Sequence, residues 1–321
     1  MARPEPHLIE APPSPSRALP TPNIDVISTA DDRSAPILNA MTVDVEEHFQ
    51  VSGFEGSVRR EDWDSHPSRV TENTARLLDL FDEVGIRATF FVLGWIAERH
   101  PALVRAIAER GHEVASHGYS HRLVYSQSPG EFRSETERSK KILEDASGRG
   151  VTGYRAASFS IDARNLWALD VLAEAGFTYD SSLFPVRHDR YGMPGAPRHP
   201  YRIRTKGGAL LAEIPPSTIR LRNAVLPVAG GGYLRLYPLA LTSWAIARLE
   251  KERLPAVVYV HPWETDPAQP RIGAPLLSRA RHYVGIGGTL SKLRRLARRF
   301  RFGPMSAVVE RSAPLPEITL A

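Results

Sequence analysis

Two histidines separated by three residues, His117 and His121, directly follow a short apolar run. On one helical turn the side chains at positions i and i+4 lie on the same face, so two imidazoles placed there can bind one divalent metal ion. Such a site also needs a carboxylate from another part of the chain. Taken alone, a pair of this kind is slightly more often structural than metal-binding, so the surrounding sequence must decide.

The segment Thr42-Val-Asp-Val-Glu-Glu47 supplies several carboxylates that could complete such a site. In a strand, side chains at positions i and i+2 share a face, so Asp44 and Glu46 point the same way while Val45 faces the other side. One carboxylate could then bind the metal while the other acts as a base. For this segment alone, solvated acids at a strand end are an equally good interpretation.

Apolar runs and amphipathic segments alternate along most of the chain. The runs predicted as strands span residues 37–45, 86–93, 112–116, 153–156, 177–181, 209–214 and 256–260. The segments predicted as helices span residues 70–84, 101–110, 131–145, 163–175 and 237–251, with a predicted loop over 186–208. Repeated strand–helix units predict a parallel sheet with helices outside it. Six or seven such units favour a closed or nearly closed α/β barrel, in which chemistry gathers at the carboxyl ends of the strands.

Polar residues stand directly after the apolar runs, where the barrel interpretation expects a site. Five predicted strand ends carry them: Asp44 and Glu46, His117, Arg155, Asp180 and His261. Chance placement would give fewer. The set offers nitrogen and oxygen ligands for a metal ion, together with a base and an acid for proton transfer, which is what a hydrolytic centre needs.

Composition restricts the chemistry and the expected location. The 321 residues include no Cys, which excludes disulfides, thiolate metal sites and a Cys nucleophile. No apolar run reaches the roughly 18–20 residues that span a bilayer, and the amino terminus lacks the pattern of a secretory signal. We therefore expect a cytoplasmic protein, with peripheral contact at the inner membrane left open. The net charge of +5 is mild, and no nucleic-acid partner is expected.

Three segments are predicted along the chain. Residues 1–36 are rich in Pro and Ser and are expected to form a disordered tail, residues 37–270 the barrel, and residues 271–321 a carboxyl-terminal extension. Within the extension, residues 290–302 predict a basic amphipathic helix. It could contact an anionic membrane or an acidic polymer. We favour a helix that closes the barrel and leaves its basic face in solvent.

Taken in order, these residues resemble the motifs of the polysaccharide deacetylase family, carbohydrate esterases that remove N-acetyl groups from sugars. The similar segments are Thr42-Val-Asp-Val-Glu46, Ser116-His117-Gly-Tyr-Ser-His121, Tyr154-Arg-Ala-Ala-Ser-Phe-Ser160, Tyr179-Asp-Ser-Ser-Leu-Phe-Pro185 and Val258-Tyr-Val-His261-Pro-Trp-Glu264. Gly230-Gly-Gly-Tyr-Leu-Arg235 and the extension resemble a subgroup associated with bacterial exopolysaccharide loci and the exosortase system. The resemblance implies a distorted (β/α)7-type barrel.

The resemblance also implies a role for each candidate residue. Three ligands would hold a divalent ion, with Zn²⁺ preferred: Glu46, His117 and His121. Asp44 would be the base that takes a proton from the attacking water, and His261 would protonate the departing amine. Arg155 would orient Asp44 through a charge-assisted pair, and Asp180 would position His261 or shape the pocket.

Two departures from the family pattern affect this assignment. Val45 stands where the family has a second, metal-binding aspartate, and Val cannot bind metal. The ligand role passes to Glu46 because it shares a strand face with Asp44, but Glu47 remains open. Ala157 stands where the third motif usually has Pro, which leaves Arg155 in place.

The function predicted from the resemblance is metal-dependent hydrolysis of a non-peptide C–N bond, namely N-deacetylation of a bacterial exopolysaccharide or its precursor. The atypical first motif keeps open a related hydrolase of a small cyclic amide or ureide. A catalytically inactive glycan-binding protein is a third interpretation, which the joint presence of Asp44, His117, His121, Arg155 and His261 disfavours. The sugar polymer, the metal and the oligomeric state are left undetermined.

Overall fold

A computed structural model describes residues 36–188, 191–222, 224–228 and 230–319. The tail predicted for residues 1–36 therefore lies, except for Pro36, outside the described residues. Among the residues that are described, no helix is both long enough and apolar enough to cross a membrane.

Strands and helices alternate through the described residues. The strands are β1 (Asn39–Val45), β2 (Thr89–Val92), β3 (Glu113–Ser116), β4 (Gly153–Tyr154), β5 (Tyr179–Asp180), β6 (Tyr201–Arg204), β7 (Leu210–Glu213), β8 (Thr218–Leu221), β9 (Ala224–Pro227), β10 (Val257–Val260), β11 (Phe302–Gly303) and β12 (Glu317–Thr319). The helices are α1 (Val70–Glu83), α2 (Gly94–Arg99), α3 (Pro101–Glu109), α4 (Pro129–Ser147), α5 (Trp167–Glu174), α6 (Gly231–Leu236), α7 (Leu239–Lys251), α8 (Leu276–Tyr283), α9 (Thr289–Arg299) and α10 (Met305–Arg311).

Seven strands pair in parallel in the order β10–β1–β2–β3–β4–β5–β7. All seven residues of β1 are buried, as expected for a central strand of a parallel sheet that is covered on both faces. Helices α1, α3, α4 and α5 follow their strands and turn apolar sides inward, for example Leu77 and Phe81 of α1. The predicted α/β barrel of the distorted (β/α)7 type is confirmed.

The barrel is distorted between β10 and β7, the first and last strands of this parallel order. Within the described residues no ladder joins these two strands. Instead, Val257 N donates to the Ser217 hydroxyl at 2.6 Å, and Gly230 forms a single parallel bridge with Tyr259. A Cβ at Gly230 would lie 1.9 Å from the Tyr259 ring, so this close approach requires glycine.

Several elements were not predicted from the sequence, among them β6, α2, the β8–β9 hairpin and the helices α6, α8 and α10. Residues 186–208, predicted as a loop, contain β6, in which buried and exposed residues alternate and which pairs antiparallel with β7. Such alternation is typical of a half-exposed strand, but four residues between turn-forming segments give a weak signal. Helix α2 was not predicted because its six residues are too few to show a helical period.

The carboxyl-terminal extension contributes strands to the same sheet. Its strand β11 pairs with β1, and β12 pairs with β6. Helix α9 packs Leu293 and Leu296 into the core, while its Arg294 and Arg298 pair with Glu83 of α1. The apolar side of α9 thus faces the barrel and is not available to enter a membrane, which agrees with the structural interpretation of residues 290–302.

Candidate active site

The chemically distinctive side chains meet at the carboxyl ends of neighbouring strands. Asp44 lies in β1 and Glu46 follows it, His117 follows β3, Arg155 follows β4, and His261 follows β10. These strands are close neighbours in the order β10–β1–β2–β3–β4, so their ends share one edge of the sheet. In a parallel barrel this edge is where a catalytic site is expected.

The segment from His117 to His121 is an irregular loop and not a helical turn. Gly118 has a φ of +77° and His121 a φ of +51°, both outside the helical region. The loop is held by α2, because Gly94 N donates to Gly118 O at 2.8 Å and Trp95 N to Tyr119 O at 3.0 Å. The helical geometry predicted for the pair is therefore wrong, although the loop brings the two imidazole rings to a centroid separation of 5.5 Å.

Glu46, His117 and His121 form a group that could hold a metal ion, with one donor atom from each residue and all three atoms within 4.8 Å of one another. All three side chains are buried. His117 Nδ1 lies 2.8 Å from the carbonyl oxygen of Arg155, which can only accept. Nδ1 therefore carries the proton, and the lone pair of Nε2 is free to bind a metal.

The polar environment of Glu46 fits a cation. Its Oε2 is buried and accepts no hydrogen bond of good geometry within the described residues, although His121 Nε2 lies 2.8 Å away. Burying a carboxylate oxygen without a hydrogen bond costs free energy of folding unless a nearby cation compensates the charge. Burial raises the pKa of Glu46, but the nearby His121 and His261 outweigh it and lower that pKa to about 2. Burial lowers the pKa of His117 to about 4, which keeps its imidazole neutral.

Glu47 has a different role. Its carboxylate accepts hydrogen bonds from three groups at the start of α1: Ser68 Oγ at 2.5 Å, Arg69 N at 3.0 Å and Val70 N at 3.2 Å. A carboxylate at a helix amino terminus satisfies backbone N–H groups that have no partner inside the helix. Glu47 therefore caps α1, and Glu46 is left as the carboxylate beside the two histidines.

Asp44 is held by a buried arginine. Arg155 Nη1 donates to Asp44 Oδ1 at 2.6 Å, and the same nitrogen lies 2.8 Å from Thr42 Oγ1. Arg155 Nη2 donates to Ser181 Oγ at 3.1 Å, and the guanidinium carbon lies 4.1 Å from the centroid of the Phe91 ring. The pair predicted between Arg155 and Asp44 is present in the structure. A fully buried Arg–Asp pair of this kind fixes the direction in which the second carboxylate oxygen points.

His261 contacts both the candidate metal group and a carboxylate that sequence reasoning missed. Its Nε2 lies 3.7 Å from Glu46 Oε1, and its Nδ1 lies 3.2 Å from Glu264 Oε1. Glu264 is fully buried and also accepts from Arg235 Nε at 3.1 Å. Burial lowers the pKa of His261, but Glu46 and Glu264 outweigh it and raise that pKa to about 9. Glu264 thus orients the ring and favours its protonated form.

Two sequence profiles of known proteins match separate parts of the chain and include residues of this site. The sequence profile described as "Polysaccharide deacetylase" matches residues 62–179, which contain His117, His121 and Arg155. This match covers less than half of the chain, so similarity to the polysaccharide deacetylase family is shown for residues 62–179. A second profile, described only as a domain of unknown function (DUF3473), matches residues 181–310 and includes His261 and Glu264. The deacetylase profile begins after Asp44 and Glu46, so those two residues rest on the geometry above.

The chain matches its curated relatives over only part of their length. A peptidoglycan deacetylase of Helicobacter pylori is 32% identical over 151 residues, which cover 46% of this chain and 50% of the relative. A chitooligosaccharide deacetylase of a Bradyrhizobium strain is 30% identical over 100 residues, which cover 31% of this chain and 43% of the relative. The chain thus spans half or less of these curated relatives.

A solved structure covers more of the chain. A Mycobacterium smegmatis protein provisionally described as a polysaccharide deacetylase superposes with a TM-score of 0.60 at 23% identity, covering 89% of this chain and 93% of that one. This likeness shows a shared fold and no more. It extends over the carboxyl-terminal half, where the deacetylase profile does not match.

Asp180 was predicted to position His261 or to shape the pocket. Its contacts in the structure are with other residues. Its Oδ1 accepts from Ser182 Oγ at 2.6 Å, and Glu213, which is also buried, stands directly opposite in the β5–β7 ladder. These contacts do not include His261, whose carboxylate partner is Glu264. Burial raises the pKa of Asp180 to about 6, and burial together with Asp180 raises the pKa of Glu213 well above its usual range. Burial of two neighbouring carboxyl groups thus favours the protonated form of Glu213.

We expect Glu213→Gln to stabilise the fold more at pH 8 than at pH 5. Both carboxyl groups have a raised pKa when folded, so their contribution is full below the unfolded pKa and is lost as the pH rises through the folded value. Gln keeps an acceptor for Leu183 N and has no carboxyl group to ionise. Thermal unfolding at the two pH values measures the difference, with the exposed Glu61→Gln as control. An equal shift at both pH values would contradict the raised pKa of Glu213 in the folded protein.

Proposed function

We propose that the protein is a metal-dependent hydrolase that removes N-acetyl groups from the sugars of a glycan. The observation that carries the proposal is the convergence of two buried assemblies on one end of the barrel. One is the Asp44–Arg155 pair at 2.6 Å, and the other is the Glu46–His117–His121 group within 4.8 Å. A base fixed beside a candidate metal group is what hydrolysis of an amide by water requires.

Glu46, His117 and His121 would hold the ion, for which we propose Zn²⁺. Two imidazole nitrogens and one carboxylate are a ligand set that catalytic zinc sites use. When bound, such an ion polarises the acetamide carbonyl and makes water a nucleophile at neutral pH. The hydrogen bond from His117 Nδ1 to Arg155 O fixes the orientation of the His117 ring.

Proton transfer falls to Asp44 and His261. Asp44 accepts the proton of the attacking water through the oxygen that Arg155 does not hold, because Arg155 donates to Oδ1. His261 donates a proton to the departing amine, and Glu264 at 3.2 Å from Nδ1 keeps Nε2 directed toward the site. Arg155 thus fixes the orientation of the proposed base, and Glu264 favours the protonated form of the proposed acid.

For the substrate we propose an N-acetylated bacterial exopolysaccharide or its lipid-linked precursor. Support for a sugar substrate comes from relatives named as peptidoglycan and chitooligosaccharide deacetylases. A small cyclic amide or ureide is the second candidate. It is favoured by the first motif, in which Val45 replaces an acidic residue and the longer Glu46 stands beside the histidines. A longer ligand side chain changes the position of an ion relative to Asp44.

Acetate release from N-acetylglucosamine oligomers, measured with and without a chelator, tests the proposal. We expect release that the chelator abolishes and that added Zn²⁺ restores. Hydrolysis of a cyclic ureide without acetate release would select the second candidate. Glycan binding with turnover of neither substrate would overturn both.

We expect Glu264→Gln to lower kcat for acetate release by about 10–100-fold with little change in KM, a range typical for partners that orient site residues. The amide removes the charge that favours protonated His261 but keeps an acceptor for its Nδ1. Steady-state kinetics over a pH range measures the effect, and the loss should be smallest at low pH. An unchanged kcat, or a rise in KM alone, would show that Glu264 only supports the fold through Arg235.

A further inference from the structure

We propose that the outer face of α8, together with the adjoining residues Leu236 and Val284, docks on an anionic lipid bilayer. We call this surface the α8 face. It comprises Leu276, Leu277, Arg279, Ala280, Arg281, Val284 and Leu236. The proposal is independent of the catalytic activity, because it concerns a surface outside the metal group and the proton-transfer residues.

The α8 face exposes an unusual amount of apolar surface. Leu276 is 80% exposed, Leu277 63%, Leu236 55% and Val284 43%. Single exposed leucines are common on soluble proteins, whereas several grouped together mark a contact surface. Leu277, Ala280 and Val284 follow one another at helical spacing, so they lie on one side of the helix.

Arg235 joins the two parts of this face. Its guanidinium donates to the carbonyl oxygens of Arg281, His282 and Val284, at distances of 3.1, 2.6 and 2.8 Å. Leu236 follows Arg235 directly, so this leucine lies beside the carboxyl-terminal end of α8. The exposed Leu236 at the end of α6 is therefore near the exposed Val284 at the end of α8.

The charge around this face selects the partner. Residues 267–287, which include α8, contain three Arg and no Asp or Glu. Arg279 and Arg281 are exposed on α8 and make no ion pair with any described residue. Leucines set among unpaired arginines fit the boundary of an anionic bilayer, where acyl chains take the apolar groups and headgroups take the charges. A second copy of the chain would oppose like charges, and an acidic polysaccharide would leave the leucines in water.

The same helix forms a wall of the candidate active site. His282, on the inner side of α8, stacks on Trp263 at 4.0 Å between ring centroids, and Trp263 stacks on His261 at 5.1 Å. A bilayer bound to the α8 face would therefore lie beside the catalytic end of the barrel. A glycan carried on a lipid would reach the site from that surface.

Sedimentation of the full chain with vesicles tests the proposal. We expect binding to vesicles of phosphatidylglycerol mixed with phosphatidylcholine, and at least tenfold weaker binding to phosphatidylcholine alone. The double variant Leu276→Ser/Leu277→Ser should lose at least tenfold in affinity for the mixed vesicles. Leu210→Ser, which changes an exposed leucine at the amino-terminal end of β7, is the matched control and should bind like the parent.

A second variant separates charge from apolar contact. Arg279→Gln/Arg281→Gln should weaken binding to the mixed vesicles and reduce its dependence on salt, with thermal unfolding unchanged. Absence of binding to the mixed vesicles would overturn the proposal, as would equal binding by the leucine variant and the parent. Binding to an acidic polysaccharide but not to vesicles would also overturn it.

Discussion

Asp44→Asn is expected to lower kcat for acetate release by about 10²–10⁴-fold, the range that a positioned general base contributes. The amide cannot accept the proton of the attacking water, although it can still accept the hydrogen bond from Arg155. Glu46, His117 and His121 are unchanged, so metal content after dialysis should equal that of the parent. Kinetics and metal analysis on the same sample measure both results.

Folding must be controlled in this experiment, because the variant leaves the buried Arg155 without its carboxylate. Breaking a buried ion pair costs several kcal/mol, so thermal unfolding should show a lower Tm while the far-UV circular dichroism is retained. The exposed Asp64→Asn, which also removes a partner of an arginine, serves as the control for a general effect of lost charge. Loss of metal from Asp44→Asn would show that Asp44 is a ligand and that the two carboxylates exchange roles.

The second large effect is expected at Glu46. Glu46→Gln should remove bound metal and with it turnover, because the amide is a much weaker ligand than the carboxylate that now lies beside His121. Glu47→Gln is the matched comparison, since it changes the neighbouring residue in the same way. It should keep the metal and lose about 1 kcal/mol of stability, because Glu47 caps α1. Metal retained by Glu46→Gln but lost from Glu47→Gln would reverse the assignment.

The barrel and the position of its site could be predicted because both depend on local patterns. Apolar runs separated by helical segments indicate parallel strands, and polar residues after those runs indicate where the site forms. This reasoning placed Asp44, Glu46, His117 and His261 at one edge of the sheet without knowledge of the contacts. It could not choose between Glu46 and Glu47, because the choice depends on the start of α1, about twenty positions further along the chain.

The errors at the site have a similar origin. The spacing of His117 and His121 matches a helical turn, but Gly118 adopts a positive φ and the loop bonds to α2, a helix too short to predict. The partner of Asp180 depends on the register between β5 and β7, which places Glu213 opposite. Glu264 did carry a local signal, since it lies three residues after His261 and such residues share one side of a single helical turn.

Adjacent positions in the chain link the candidate ion to an entire helix. Glu46 belongs to the metal group, and Glu47, one peptide bond away, holds the first turn of α1. An ion that restrains Glu46 also restricts Glu47, so binding and the local opening of α1 are thermodynamically coupled. Because α1 also pairs with α9 through Glu83, an ion bound at the site would also contribute to holding the carboxyl-terminal extension in place. Such an ion would then stabilise the structure in addition to its proposed chemical role.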